Sequence, residues 1–217
     1  MKNLLIISLA LMLLAITACA TNSEGAAPKM VTKYDIALAK VTRSDSSQGK
    51  VKSPVADTTL VDKLRFRYED ELMRTIWSAN ENGFELTLYN ASDKNITIDW
   101  EKGLYLDYDN IGHRLLPSTT KDADKDKIQI PSVVSPRGNL VVTIYSADHV
   151  SLSSLLGSYI RTPLLPTDYA TAVRYNGKEL KLVMPVIIDG VSFQYEYLFK
   201  VTNVRQVAVK STGWFGL

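Results

Sequence analysis

The chain has 217 residues, 46% of them hydrophobic and 22% charged, which is long enough to bury a sizeable core without covalent staples. Its 25 basic and 23 acidic side chains leave a formal charge of +2, so electrostatics make no case for nucleic acid or an acidic surface as partner. A single cysteine excludes an intramolecular disulfide and the paired-cysteine redox and metal motifs.

The first element is an export signal. Lys2 supplies a positive start, residues 4–16 form an almost unbroken apolar run, and Ile16-Thr17-Ala18 narrows to a small residue before Cys19. A membrane-spanning helix needs about 20 apolar residues, and this run is shorter. Ile16-Thr17-Ala18-Cys19 resembles the lipobox of bacterial lipoproteins. That resemblance implies a diacylglycerol on the Cys19 thiol, cleavage after Ala18 and acylation of the new amine. Two or three acyl chains anchor where one would not, because each buried methylene adds roughly 0.8 kcal/mol. By the same analogy, Ala20 rather than an aspartate after the cysteine implies an outer-membrane address facing the periplasm. Removal of residues 1–18 leaves 199 residues, with 24 basic and 23 acidic side chains.

The predicted organisation is a signal peptide (1–18), a lipidated cysteine with a short tether (19–30) and a β-rich body (31–217). Residues 20–29 are small and polar, as a tether requires. Tyr34, Ile36 and Leu38 alternate with smaller or polar residues and predict a short strand, followed over 44–58 by a Ser- and Lys-rich stretch broken by Gly49 and Pro54. From Leu64 onward the dominant period is two: Leu64, Phe66 and Tyr68; Phe84, Leu86 and Leu88; Ile96, Ile98 and Trp100; Leu104, Leu106 and Tyr108; Leu140, Val142 and Ile144. Residues 72–77 also fit helical spacing, but Asn80-Glu81-Asn82-Gly83 would turn a strand there directly into the next.

Residues 146–171 are the least regular part. Val150-Ser151-Leu152-Ser153-Ser154-Leu155-Leu156 fits a short helix, after which Pro163 and Pro166 impose irregular backbone. The clearest unit follows: Leu180, Leu182, Met184, Val186 and Ile188 alternate, Asp189-Gly190 turns, and Val191, Phe193, Tyr195, Tyr197, Phe199 and Val201 alternate on the return. Pro185 predicts an edge or a bulge in that strand. About eight strands without a long helical pattern predict an all-β fold, an antiparallel sandwich with a barrel as the main competitor.

The order Phe84-Glu85-Leu86-Thr87-Leu88-Tyr89-Asn90, Ile96-Thr97-Ile98-Asp99-Trp100, Gly112-His113-Arg114, Val134-Ser135-Pro136-Arg137-Gly138, Thr162-Pro163-Leu164-Leu165-Pro166 and the strand 195–200 resembles a group of uncharacterised bacterial lipoproteins. The resemblance covers roughly residues 60–202 and implies an immunoglobulin-like antiparallel β-sandwich behind a lipobox. It implies no catalytic residues.

The chemistry-bearing residues are sparse. His113 and His149 are the only histidines, and no nucleophile-elbow or zinc-helix frame accompanies them. A fold setting either within about 3 Å of a serine, such as Ser153 or Ser154, or of a cavity carboxylate would favour a periplasmic hydrolase. Asp122, Asp124 and Asp126 have the spacing that opens a calcium loop, but Lys127 and Val133 stand where glycine and glutamate are needed, and Lys121 and Lys125 neutralise the acids. Trp100 reads as a packing residue. Tyr105, Tyr108, Tyr145, Tyr159, Tyr169 and Tyr175 can furnish a partner surface. The ending Trp214-Phe215-Gly216-Leu217 can close a core or dock elsewhere. The expectation is a lipid-anchored envelope protein without catalytic site, metal or cofactor, binding the membrane through Cys19 and other envelope proteins through its body.

Overall fold

A computed structural model describes residues 28–45, 51–52, 59–62 and 64–209. The chain divides into two compact units, Val31–Val207 and a second formed by Met1–Met30 with Ala208–Leu217. Cys19, the C-terminal Trp214-Phe215 segment and most of the 44–58 stretch lie outside the described residues. The larger unit holds nearly all of the described β-structure.

Its elements are β1 (Lys29–Asp45), β2 (Val51–Lys52), β3 (Thr59–Asp62), β4 (Arg65–Glu69), β5 (Met73–Asn80), β6 (Gly83–Asn90), β7 (Ile96–Ile98), β8 (Leu104–Leu106), β9 (Gly112–Pro117), β10 (Ser132–Val134), β11 (Asn139–Ser146), β12 (Val150–Leu152), β13 (Tyr159–Arg161), a single helical turn α1 (Tyr169–Ala172), β14 (Glu179–Ile188) and β15 (Val191–Val209). The main sheet runs β2-β1-β15-β14-β8-β9-β11-β6-β5-β4-β3, with β7 bridging β14 and β10, while β12 and β13 form a separate two-stranded sheet.

The immunoglobulin-like sandwich is not what forms. The sheet is one antiparallel surface that curls through 350°, nearly closing into a nine-stranded barrel. The strand responsible is β9. Its first half pairs with β8 (Leu104↔Arg114) and its second half with β11 (Tyr145↔Leu116), so hydrogen bonds join the halves that a sandwich keeps apart. The fold implied by the lipoprotein resemblance is corrected by the same pairing. Period-two alternation does not separate the two architectures, because each buries one face of every strand.

The interior is aromatic. Trp77 packs its ring against Tyr197 (centroids 4.5 Å apart) and Phe199 (5.7 Å), and Phe84 tilts against Phe199 (4.9 Å) and Tyr105 (5.6 Å). The β14–β15 hairpin keeps the predicted register from Glu179↔Lys200 to Ile188↔Val191, and Asp189 and Gly190 both take positive φ (51° and 78°). Of residues 72–77, all but Leu72 enter β5, as the Asn80-to-Gly83 turn requires. Pro185 sits in the middle of a central strand, neither at an edge nor at a register shift. Its carbonyl accepts from Asp99 N (3.1 Å), which places its missing N–H on the side where β7 has ended and β8 has not begun, so no ladder bond is lost. Residues 150–156 are not helical: Val150↔Arg161, Ser151↔Ile160 and Leu152↔Tyr159 pair as a hairpin.

Candidate functional site

The two histidines are brought together, with ring centroids 6.0 Å apart. His113 pairs with Tyr105 across β9 and β8 and stacks on its ring; its Nδ1 lies 2.9 Å from Asp148 Oδ2 and its Nε2 3.4 Å from Asp107 Oδ2. Asp148 therefore meets the distance a hydrolase reading requires, but its side chain is 56% exposed rather than set in a cavity. Both ring nitrogens of His113 face carboxylates, leaving neither free to take a proton from a nucleophile. Asp107 also shapes the backbone, accepting from Asp109 N and Ile111 N (2.9 Å each) in the turn that joins β8 to β9.

His149 is committed elsewhere. Its Nδ1 lies 3.0 Å from the Pro163 carbonyl oxygen, and a carbonyl only accepts, so this nitrogen carries the proton. The Thr162 hydroxyl at 3.4 Å consequently finds no lone pair there to activate it. Among the described residues no serine hydroxyl is hydrogen-bonded to either imidazole.

The aspartate run folds as a 3-10 turn over Asp122–Asp124, and each acid has a cation. Asp122 receives Arg161 (Nη2 2.6 Å, Nε 3.0 Å), Asp124 receives Lys127 (2.6 Å) and Asp126 receives Lys125 (2.8 Å). Among the described residues no group of His, Cys, Asp or Glu is arranged to hold a metal ion. Trp100 is buried and donates from Nε1 to Ser132 Oγ (2.8 Å), a packing residue with a satisfied polar edge.

The same aspartate loop builds a feature that alternation does not suggest. Ile128 and Ile130 are 82% and 83% exposed, while Gln129 between them is buried. The reason is that Gln129 is worth more inside. Its Oε1 accepts from the Thr120 hydroxyl (2.8 Å), its Nε2 donates to the Lys127 carbonyl (3.0 Å), and its backbone N–H donates to Glu101 Oε2 (2.9 Å). Arg114 spans the same place, donating to Glu101 (3.1 Å) and to the Lys127 carbonyl (3.1 Å). The Gln129 N–H, followed by the Arg114 guanidinium, holds the Glu101 carboxyl below its usual range against partial desolvation.

The result is a pinned shelf on which Ile128, Ile130 and Pro131 line a cleft of about 410 Å³, edged by Thr119, Lys121 and Asp124. A second groove of about 240 Å³ on the outer face of β1, β14 and β15 is lined by Lys40, Glu179, Lys181 and Glu196, with Asp107 at its edge; charge of both signs dominates it. Apolar side chains held out by buried polar anchors can bind an apolar partner surface; they offer no acid, base or nucleophile. The sequence signal was present, since Ile128-Gln129-Ile130 alternates, but alternation alone points the isoleucines inward.

The predicted tyrosine surface is dispersed. Tyr105 is buried, Tyr108 and Tyr175 pack edge to face (4.6 Å), and Tyr145 lies beneath the Arg161 guanidinium (3.9 Å). Comparison with known protein families, curated proteins and solved structures returns no match to this chain.

Proposed function

We propose that this chain is a lipid-anchored protein of the bacterial cell envelope that acts as an adaptor or assembly subunit, binding another envelope protein through the shelf of Ile128, Ile130 and Pro131. The observation that carries the reading is the rigid outward presentation of Ile128 and Ile130. Large apolar side chains at such exposure are tolerated singly, but two on a preorganised loop lower the entropy cost of association. The lipobox-like Ile16-Thr17-Ala18-Cys19 supports the anchor, and Ala20 supports an outer-membrane, periplasm-facing address. A hydrolase built on His113 would need a nucleophile at Nε2, where Asp107 stands.

Site-specific photo-crosslinking in intact cells tests the adaptor. A benzoylphenylalanine at position 128 should give a discrete protein adduct that one at exposed Val141 does not; matching adduct patterns would remove the shelf from consideration. Cys19→Ser tests the anchor. Wild type should take up a fatty-acid analogue and sediment with membranes, whereas the variant, if processed by another signal peptidase, should be unlabelled and soluble. Precursor size must be read alongside, because residues 4–16 would retain an uncleaved chain. Label that persists in Cys19→Ser would overturn the lipidation.

A further inference from the structure

The β12–β13 hairpin stands apart from the barrel sheet and exposes its apolar side chains. Val150 at its base is buried with Leu116 and Ala147, but Leu152 and Leu156 are exposed and Leu155 is 91% exposed. Between Val150 and Ile160 no residue is charged. The tip pairs part of its own backbone: Ser153 N donates to the Ser158 carbonyl (2.9 Å), Gly157 N to the Ser153 carbonyl (2.9 Å) and Leu156 N to Ser153 Oγ (3.2 Å), with Gly157 at φ 61°. Each peptide group paired in this way lowers the cost of leaving bulk water. Tyr159 adds an amphipathic ring beside the leucines, and Arg161 fixes the base through Asp122 and the face of Tyr145.

The position of the hairpin relative to Thr32 and Tyr34 of β1 points to the medium. Within six residues of Arg161 the chain reaches Thr167. There the Thr32 hydroxyl donates to the Thr167 carbonyl (2.6 Å), the Tyr34 hydroxyl donates to the Pro166 carbonyl (2.7 Å), and Leu164 N donates to the Glu81 carbonyl (2.8 Å) beside the Lys33–Glu81 ion pair. Thr32 and Tyr34 of β1 thus lie at the end of the barrel that carries the hairpin. Nine residues separate Cys19 from Lys29. Even fully extended, such a segment spans no more than about 32 Å.

We infer that the β12–β13 hairpin is a membrane-contacting element, and that Leu152, Leu155 and Leu156 enter the headgroup region of the bilayer to which Cys19 is attached. This rests on the lipid-anchor reading. The contact would orient the barrel on the membrane, which a single tether does not do.

The test uses the full lipidated chain in vesicles of phosphatidylethanolamine and phosphatidylglycerol containing a nitroxide-labelled lipid. With Cys19 acylated, Leu155→Cys supplies a single reactive thiol for a fluorophore. Val141→Cys, an exposed position on the barrel wall, is the control. Insertion at the depth of interfacial elements predicts quenching roughly threefold stronger at 155 than at 141. Equal quenching at the two sites in a chain that floats with the vesicles overturns the hairpin contact while leaving the anchor intact. A blue-shifted label at 155 before vesicles are added also overturns it, in favour of a second copy covering the leucines. Absence of fatty-acid label on Cys19 overturns the anchor, and the hairpin inference falls with it unless quenching at 155 persists in excess lipid.

Discussion

Arg43 Nη1 donates to Asp70 Oδ2 across 2.8 Å, with the two side chains 7% and 5% exposed, and this pair joins the opposite ends of the sheet. Arg43 lies on β1, near one end of the strand order, and Asp70 directly follows β4, near the other. Asp70 also accepts from the hydroxyls of Tyr68 (3.1 Å) and Tyr195 (2.8 Å) and from Leu72 N and Met73 N (2.9 Å each), while Arg43 Nη2 reaches Glu71 (2.7 Å). Arg43→Met strands a buried carboxylate and is expected to destabilise the fold by about 3–5 kcal/mol, read from the urea midpoint. Arg43→Met/Asp70→Asn should recover a large part of that loss. A loss below about 1 kcal/mol in the single variant, the range of exposed pairs, would mean the seam is wet.

Gly83 is a second tight point, where the neighbouring strand leaves no room for a side chain. A β-carbon there would sit 2.6 Å from the Ile144 carbonyl oxygen on the neighbouring strand β11. Backbone must move to admit it, so Gly83→Ala is expected to cost about 1–3 kcal/mol, the cost of overpacking. Thermal denaturation checks this, and an unchanged midpoint would contradict the close approach.

Alkaline pH should unfold the barrel through its tyrosines. Burial, and then the charge of Glu81, push the Tyr34 phenol up to about 12, and burial raises Tyr68, Tyr105 and Tyr195 as well. The fold favours the neutral phenols, whereas unfolded tyrosines ionise near pH 10. Their contribution is therefore intact below about pH 10 and is lost as pH rises towards 12 and beyond. Urea midpoints should hold between pH 8 and about 10 and fall from there to pH 12. A midpoint that stays level from pH 8 to about 12 would show that the fold does not favour the neutral phenols.

Gln129→Ala removes the amide that holds the shelf together. The Thr120 hydroxyl loses its acceptor and the Lys127 carbonyl keeps only Arg114, an expected cost of about 1–3 kcal/mol. Hydrogen exchange should accelerate across residues 120–131, and crosslinking from position 128 should weaken with it. Faster exchange with undiminished crosslinking would mean that the partner does not need a preorganised shelf.

Much of this protein is legible in its residues one strand at a time. The alternation of Leu180 to Ile188 and of Tyr195 to Val201, the Asp189-Gly190 turn and the sequence after Asn80 fix individual strands and hairpins, because side-chain period and turn conformation are local properties of the chain. How those hairpins close is not local. Sandwich and barrel present the same inward face, and the choice falls to β9 pairing with a different neighbour at each end. Arg43 is the sharpest case. Tyr34, Ile36 and Leu38 point inward, and strict alternation would then place Arg43 outside, but Ala39 and Lys40 are both exposed and the inward parity shifts, burying Val41 and Arg43. Gln129 is buried and its isoleucine neighbours exposed for a related reason. A buried polar side chain is tolerated only when partners meet it; for the Gln129 amide those are Thr120 and the Lys127 carbonyl, in a loop that Glu101, 28 residues away, holds through the Gln129 backbone N–H. A sequence displays the polar group; the tertiary structure alone supplies its partners.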